Sequence, residues 1–381
     1  MIYADHNATS PLLTQVQTYL KKRLASDAIY ANPNSLHSLG AQVHRVMEKS
    51  RSFIAKSLGA SEDQVIFNSG SSEGISHVFQ SVLTQARDTI VISNQEHAAV
   101  VQAANHYEKN GYKVIKIDSQ NSGVIDFEQL EQVIKFHHQN IAIVSIIAAN
   151  NETGVIQPYK EIGELCQENG IVYFPDTTQM IGKLDFNFNE LPFDYAVISG
   201  HKLGSMTGVG ALLVKDHTLL KPMIFGGAQE NNKRSGTQHY IGIETLALAL
   251  NESLKNMNQQ NELEKARDQF EAELKKSFDE LVIFGEESKR LAGTSLLGLK
   301  GIHGQAVQLE LESHNIFVTT SSACADNEPE TSQVLKSMGI SDDQGRAAIR
   351  ISLKLGQNPG DFKVIGEKLA GIFEKLSKIE Y

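Results

Sequence analysis

From residue 38 onward the chain alternates two hydrophobic rhythms. Val43, Val46, Met47, Ser50, Phe53, Ile54 and Leu58 recur at three- and four-residue spacings and are followed by Gly59, which predicts an amphipathic helix closed by a glycine. Short apolar runs then appear at Val65-Ile66-Phe67, Thr89 to Ile92, Lys113 to Ile117, Ile141 to Ile147, Ile171 to Phe174, Tyr195 to Ile198 and Ala211 to Val214. Helical patterns at 72–85, 98–109, 126–135 and 159–169 separate most of the earlier runs. This alternation predicts an α/β fold, with a mostly parallel seven-stranded sheet covered on both faces.

The pattern changes near residue 239. Residues 240–279 hold no proline and no glycine after Gly242, and read as one long helix or two in series. Beyond them a smaller set follows: strands at 281–284, 294–299, 316–318 and 347–353, with helices at 305–313, 332–338 and 361–378. The expected organisation is a large domain over 13–252 and a smaller α+β domain built from 1–12 and 253–381.

Composition narrows the function. The 381 residues are 41% hydrophobic and 21% charged with a formal charge of −10, ordinary for a folded protein and unfavourable for nucleic acid or anionic membrane. No apolar stretch approaches the roughly 20 residues of a membrane-spanning helix. Met1 to His6 show no basic-then-apolar leader pattern, so a cytoplasmic location is expected. The two cysteines, Cys166 and Cys324, exclude a disulfide framework or a cysteine-rich zinc site, and no metal is expected.

Polar residues just after apolar runs are the candidate chemistry, because α/β sheets bind ligands at the carboxyl ends of their strands. Asn68-Ser69-Gly70-Ser71-Ser72-Glu73 offers small residues, hydroxyls and a helix N-terminus, as a phosphate cradle or simply a serine cap. Asp176, in Pro175-Asp176-Thr177-Thr178-Gln179, is either a partner for a protonated heterocyclic nitrogen or a helix cap. Lys202, in Ser199-Gly200-His201-Lys202, is suited to Schiff-base formation if its pKa is lowered, and otherwise is a surface charge. Cys324 lies in the small, polar stretch 319–329 and is either an incidental loop cysteine or a reactive thiol, whereas Cys166 falls on the apolar face of a helix. Jointly, a phosphate cradle, a ring-nitrogen acid and an aldehyde-binding lysine are the three parts that hold pyridoxal 5'-phosphate.

These residues stand within ten ordered motifs: Asp5-His6-Asn7-Ala8-Thr9-Ser10-Pro11, Asn32 to His37, Ser69 to Glu73, Glu96-His97, Asn150 to Gly154, Asp176 to Gln179, Ser199 to Lys202, Arg234 to Thr237, Ser322-Ala323-Cys324 and Arg350-Ile351-Ser352. With them the chain resembles the fold-type I pyridoxal-phosphate enzymes of the class-V aminotransferase group, and within it the cysteine desulfurases of the iron-sulfur-cluster and nitrogen-fixation type. The resemblance implies a homodimer in which Lys202 binds the cofactor and moves the substrate Cα proton. Asp176 is implied to pair with the pyridine nitrogen, Gln179 and Asn151 to contact the ring hydroxyl, and His97 to stack on the ring and assist acid-base steps. Ser71, Ser72, Ser199 and His201 are implied to bind the phosphate, with Thr237 supplied by the neighbouring subunit. Arg350 is implied to grip the carboxylate of L-cysteine, with Asn7 nearby. Cys324 is implied to take the sulfur as a persulfide for an acceptor protein of unspecified identity, leaving L-alanine. Related selenocysteine lyases or aminotransferases, and a catalytically quiet sulfur-handling adaptor, are the alternatives.

The sequence departs from the family in three places. Leu203-Gly204-Ser205-Met206-Thr207-Gly208 replaces an aromatic residue and a Gly-Pro-Lys-Gly turn, Gly226-Gly227-Ala228-Gln229-Glu230 replaces a glycine-richer stretch, and the cysteine motif lacks its usual glycine. After the helix expected at 361–378 the sequence shows none of the extension with which members dock an iron-sulfur scaffold.

Overall fold

The computed structural model describes residues 1–25, 28–84, 86–320 and 331–378. In chain order the strands are β1 (Ile2–Tyr3), β2 (Val65–Asn68), β3 (Thr89–Ser93), β4 (Lys113–Ile117), β5 (Ile141–Ser145), β6 (Val172–Tyr173), β7 (Tyr195–Ser199), β8 (Gly210–Val214), β9 (Leu281–Ile283), β10 (Thr294–Leu299), β11 (Ile316–Phe317), β12 (Thr319–Thr320) and β13 (Ile349–Ser352). The seven expected from the first half of the sequence form two sheets: a parallel one in the order β4-β3-β5-β6 and an antiparallel one in the order β2-β8-β7. Helices Ala98–Lys109, Phe127–His137 and Tyr159–Glu168 make the crossovers of the parallel part. β3, β5, β7 and β8 are buried along their whole length, while the edge strand β4 exposes Lys113 and Lys116.

The two sheets meet at a seam stitched by side chains. Asp194 N donates to Tyr173 O at 2.9 Å, and Asp194 Oδ2 accepts from Tyr173 N at 2.8 Å. Thr177 Oγ1 accepts from Val197 N at 2.9 Å and donates to Val197 O at 2.8 Å, standing in for a missing strand residue. The same turn carries Asp176 and Gln179, so the stitching also positions the candidate site. On the neighbouring face, helix Ser71–Val82 packs Ile75, Val78 and Phe79 against Val197 and Leu212. Gly74 permits that approach, because a Cβ there would lie 2.7 Å from Val197 Cγ1.

A second hydrophobic core combines Ala4 with Leu263, Phe270, Leu297, Ile349, Ile351, Phe362 and Phe373. It lies under an antiparallel sheet in the order β12-β13-β10-β9, while the chain's first strand pairs in parallel with β11. Between the cores the 240–279 stretch forms two helices in series, Tyr240–Lys255 and Gln260–Ser277, separated by a tight turn at Met257–Gln259. The helix at Thr14–Arg23 is absent from the sequence reading because Val16 is its only buried residue and no apolar stripe marks it.

Thr177→Val tests the seam. Removing the hydroxyl strands a buried N–H and C=O of Val197, so folding stability falls by about 2 kcal/mol, read as a lower denaturant midpoint. An unchanged midpoint would mean that Asp194 alone joins the sheets.

Candidate active site

Lys202 sits on a single helical turn, Gly200–Leu203, directly after β7. Its Nζ donates to the backbone carbonyls of Asn7 at 2.8 Å and Ala8 at 2.6 Å. Burial first, and then the Arg350 guanidinium, lower its pKa to about 8, against an opposing pull from Asp176 and Asp5. Such a shift raises the free-amine fraction at neutral pH by about two orders of magnitude over an ordinary lysine. A nucleophilic lysine needs this.

Asp176 follows β6 and is 3% exposed. Its Oδ1 accepts from Thr178 N at 2.9 Å and from the Thr178 hydroxyl, so the carboxylate closes its own turn and caps no helix. The Thr178 hydroxyl also lies 2.7 Å from Ser71 Oγ, tying this turn to the start of helix Ser71–Val82. That helix has Gly70 at its N-cap and no side-chain cap, which removes the serine-cap alternative. Its first N–H groups and the positive end of its dipole remain available to an anion. Gly70 adopts φ +145°, and a Cβ there would stand 3.2 Å from Ser199 Oγ, so the backbone and Ser199 converge closely. Ser72 is exposed at the rim. His201 places Nδ1 3.1 Å from Thr9 Oγ1, and burial, followed by the Lys202 charge, lowers its pKa to about 4, so the ring is neutral at pH 7. Thr237 is exposed, three residues beyond Arg234, whose Nε bonds Glu73 Oε1 of the same helix at 2.9 Å.

The N-terminal segment completes the centre. Asn7 is 2% exposed, and its Nδ2 donates to Thr294 Oγ1 at 3.0 Å and to Asn151 O at 3.2 Å. Arg350 Nη1 reaches the same Asn151 carbonyl at 3.0 Å, while its Nη2 bonds Asp5 Oδ1 at 2.7 Å. Among the described residues the buried Nε of Arg350 has no partner. Asn151 thus takes part through its backbone, where the resemblance implies a ring contact. Gln179, also 3% exposed, donates through Nε2 to Asn7 O at 2.9 Å. His97 is exposed and caps helix Ala98–Lys109, its Nδ1 accepting from Ala99 N at 3.1 Å. It also lines, with Ser72, Phe79 and Tyr107, a groove of about 800 Å³.

Cys324 lies outside the described residues. Cys166 is buried and its thiol pKa is pushed up, first by burial, as its position on the apolar helix face predicts. Among the described residues no group of three or more His, Cys, Asp or Glu side chains could hold a metal ion, and no helix is long and apolar enough to cross a membrane.

Three site groups are given no role in the sequence reading, although Glu96 and Asp5 stand in two of its motifs. Lys183 donates to Asn7 Oδ1 at 2.9 Å and to Gln179 Oε1. Glu96 is raised to about 8 by burial first, with Asp176 adding repulsion against opposing hydrogen bonds from Ser93 and Ile147 N, and is protonated at neutral pH. Asp5 anchors Arg350. A lysine inside the apolar run Met180-Ile181-Gly182-Lys183-Leu184 is the sequence signal that marks Lys183, since a surface lysine has no reason to sit there.

The assembled groups could hold a phosphorylated pyridine aldehyde. The uncapped helix start with Ser71 and Ser199 suits the phosphate, the buried Asp176 suits the ring nitrogen, and the low-pKa Lys202 suits the aldehyde. A family model for class-V aminotransferases matches residues 2–361. The chain belongs to the class-V aminotransferase family. Cysteine desulfurase IscS of Dictyoglomus turgidum is 31% identical over 382 residues, covering 99% of this chain and 96% of the relative. Among solved structures, a NifS-like protein aligns with a TM-score of 0.89 at 29% identity, over 98% of this chain and all of its own. SspA in complex with cysteine aligns with a TM-score of 0.80 at 26% identity, over 93% of this chain and 99% of its own.

In this family member the cause of the Lys202 shift is testable on the cofactor-free protein. Lys202 reacts with a small amine reagent with a midpoint near pH 8, and Arg350→Met moves that midpoint upward because a nearby cation is gone. A midpoint unmoved by the substitution would assign the shift to burial alone.

Proposed function

We propose that this chain is a cysteine desulfurase that uses pyridoxal 5'-phosphate, releases L-alanine from L-cysteine and carries the sulfur as a persulfide on Cys324. The observation that carries the reading is the convergence of Lys202, Asp176, Gln179 and Ser71 at one end of the two sheets, in a chain whose full-length relative is a named cysteine desulfurase. Pyridoxal 5'-phosphate supplies an electron-withdrawing ring that accepts the electron pair left at the α-carbon when its proton departs.

The protein's own groups do the rest. Lys202, whose lowered pKa gives it a substantial free-amine fraction near neutral pH, anchors the cofactor and then shuttles the proton at the substrate's α-carbon. Asp176 holds a proton at the ring nitrogen, and its own orientation is locked by Thr178. Ser71, Ser199 and the start of helix Ser71–Val82 bind the phosphate, with Ser72 and the neutral His201 beside them. His97, at the rim, faces the ring and takes part in proton movement. Arg350, its Nε unpartnered among the described residues, offers a planar fork to the substrate carboxylate, exchanging it for Asp5 or sharing it. The Cys324 thiolate forms the new S–S bond as the substrate C–S bond breaks, and the carbon skeleton leaves as alanine. The persulfide then passes to an acceptor protein.

The reading includes a cytoplasmic homodimer in which Thr237 of each chain completes the phosphate site of the other. It also divides the chain into a cofactor domain over 13–252 and a smaller domain from 1–12 and 253–381 that carries the Cys324 loop.

Sulfide and alanine release from L-cysteine is the direct test. Wild-type protein with the cofactor yields both, with persulfide on Cys324. Cys324→Ala abolishes the persulfide and keeps the visible absorption of the lysine-bound cofactor, which Lys202→Ala removes. A Cys324→Ala variant that desulfurates at the wild-type rate would make the protein a direct lyase, and a wild-type protein that stays colourless with the cofactor would exclude both enzymes.

A further inference from the structure

Lys202 is not the only amine in the centre. Lys183 Nζ touches Asn7 Oδ1 at 2.9 Å and Gln179 Oε1. An ammonium group has donors and no acceptor, so the atoms it touches must be oxygens, and this fixes which way both amides face. With their oxygens held by Lys183, the N–H groups point the other way. Gln179 Nε2 then supports the Asn7 carbonyl that receives Lys202, and Asn7 Nδ2 supports the Asn151 carbonyl that receives Arg350.

We propose that Lys183 is a positioning residue for this reaction, locking the amides of Asn7 and Gln179 in the one orientation that buttresses both Lys202 and Arg350. The inference rests on Lys202 as the cofactor lysine and deepens that reading. Either amide can turn over about its last torsion, and a turned amide would set its N–H against the Lys183 donors and its oxygen against the carbonyl of Asn7 or Asn151, leaving that carbonyl unsupported.

The surrounding charges couple the two lysines. Burial first, then Lys202 and Arg350, lower Lys183 to about 7, so the two amines titrate as a pair within a narrow range. His6, lowered to about 3 by burial and then by Lys354 and Lys183, is neutral and adds no charge. Asp176 and Asp5 pull the Lys202 pKa in the opposite direction. A neutral amine still has two N–H donors for its two oxygens, so the positioning survives deprotonation. A cavity of about 290 Å³, lined by Lys183 and Lys202 and rimmed by the exposed Pro11, Leu12 and Gln15, gives small molecules a way in.

Lys183→Ala, Lys183→Met and Lys183→Arg, loaded with cofactor, test the inference by two readouts besides turnover: cofactor dissociation constant and pH titration of the visible band. The alanine and methionine variants are expected to unfold at the wild-type midpoint within a few degrees. They bind cofactor about tenfold more weakly and shift the band's midpoint upward by less than one pH unit, because Lys183 is itself only partly charged where the band titrates. Propylamine restores part of the loss in Lys183→Ala through the cavity, whereas 1-propanol, with a single hydrogen to offer, does not. Lys183→Arg, charged throughout the titration, moves the midpoint downward instead. Folded alanine and methionine variants that retain both the affinity and the midpoint overturn the proposal alone. A wild-type protein that never acquires the band overturns the cofactor reading and this proposal with it.

Discussion

The candidate site depends on where six residues of the N-terminus lie. β1 pairs with β11 and Asp5 bridges Ser352, so the chain begins fastened to the C-terminal core. A few residues later Ser10 N donates to His201 O at 2.9 Å and Leu13 N to Gly204 O at 3.0 Å, fastening the same segment beside Lys202. Asn7 is caught between these anchors and uses nearly every polar atom it has: N to Ser352 Oγ, Oδ1 from Lys183, Nδ2 to Thr294 and Asn151, and O from both Lys202 and Gln179. A residue with this many partners from five parts of the chain makes the two cores and the site one cooperative object. Lys202 acquires its surroundings only when the N-terminus has docked on residues more than 300 positions away.

Such an arrangement is costly. Three cations, Lys183, Lys202 and Arg350, sit close together and partly out of water, where desolvation and mutual repulsion both oppose folding. The linkage has a definite sign. Both lysines have folded pKa values below the ordinary 10.5, so the folded state binds fewer protons than the unfolded chain between about 7 and 10.5. The cost is present in full below that window and fades as pH rises through it. A protein built for stability alone would bury leucines here, and retention of the amines at such positions is the physical mark of chemistry.

How much of this was legible in the sequence follows from what kind of information each element needs. The strands and the crossover helices were legible because their apolar periodicity is local: β3, β5, β7 and β8 are buried throughout and read as unbroken apolar runs. Asp176, Gln179, Ser199 and Lys202 were legible because they follow such runs directly. What the pattern cannot carry is the partner across space. The split into parallel and antiparallel sheets turns on Thr177 and Asp194 substituting for strand hydrogen bonds, and threonine or aspartate after a strand has many other uses. Asn151 receives Asn7 and Arg350 on a carbonyl that every residue possesses, so that contact leaves no signal in the sequence. Lys183 escaped because it lies in a turn between strands, although its apolar neighbours set it apart.

The titrating groups around Lys202 give the centre its character. Glu96 is neutral through burial, and His201 is neutral through burial and the Lys202 charge. Of the remaining groups, Asp176 is engaged with Thr178, Asp5 is paired with Arg350, and the two lysines titrate between about 7 and 8. Neutral pH therefore falls where a small change in local potential moves a proton on or off an amine. An anionic ligand entering beside them raises both lysine pKa values and stabilises their charged forms, while loss of that ligand returns a free amine. In a protein whose overall charge is −10, attraction of such ligands cannot come from the surface as a whole. The local positive potential comes from this cluster, held by Asn7.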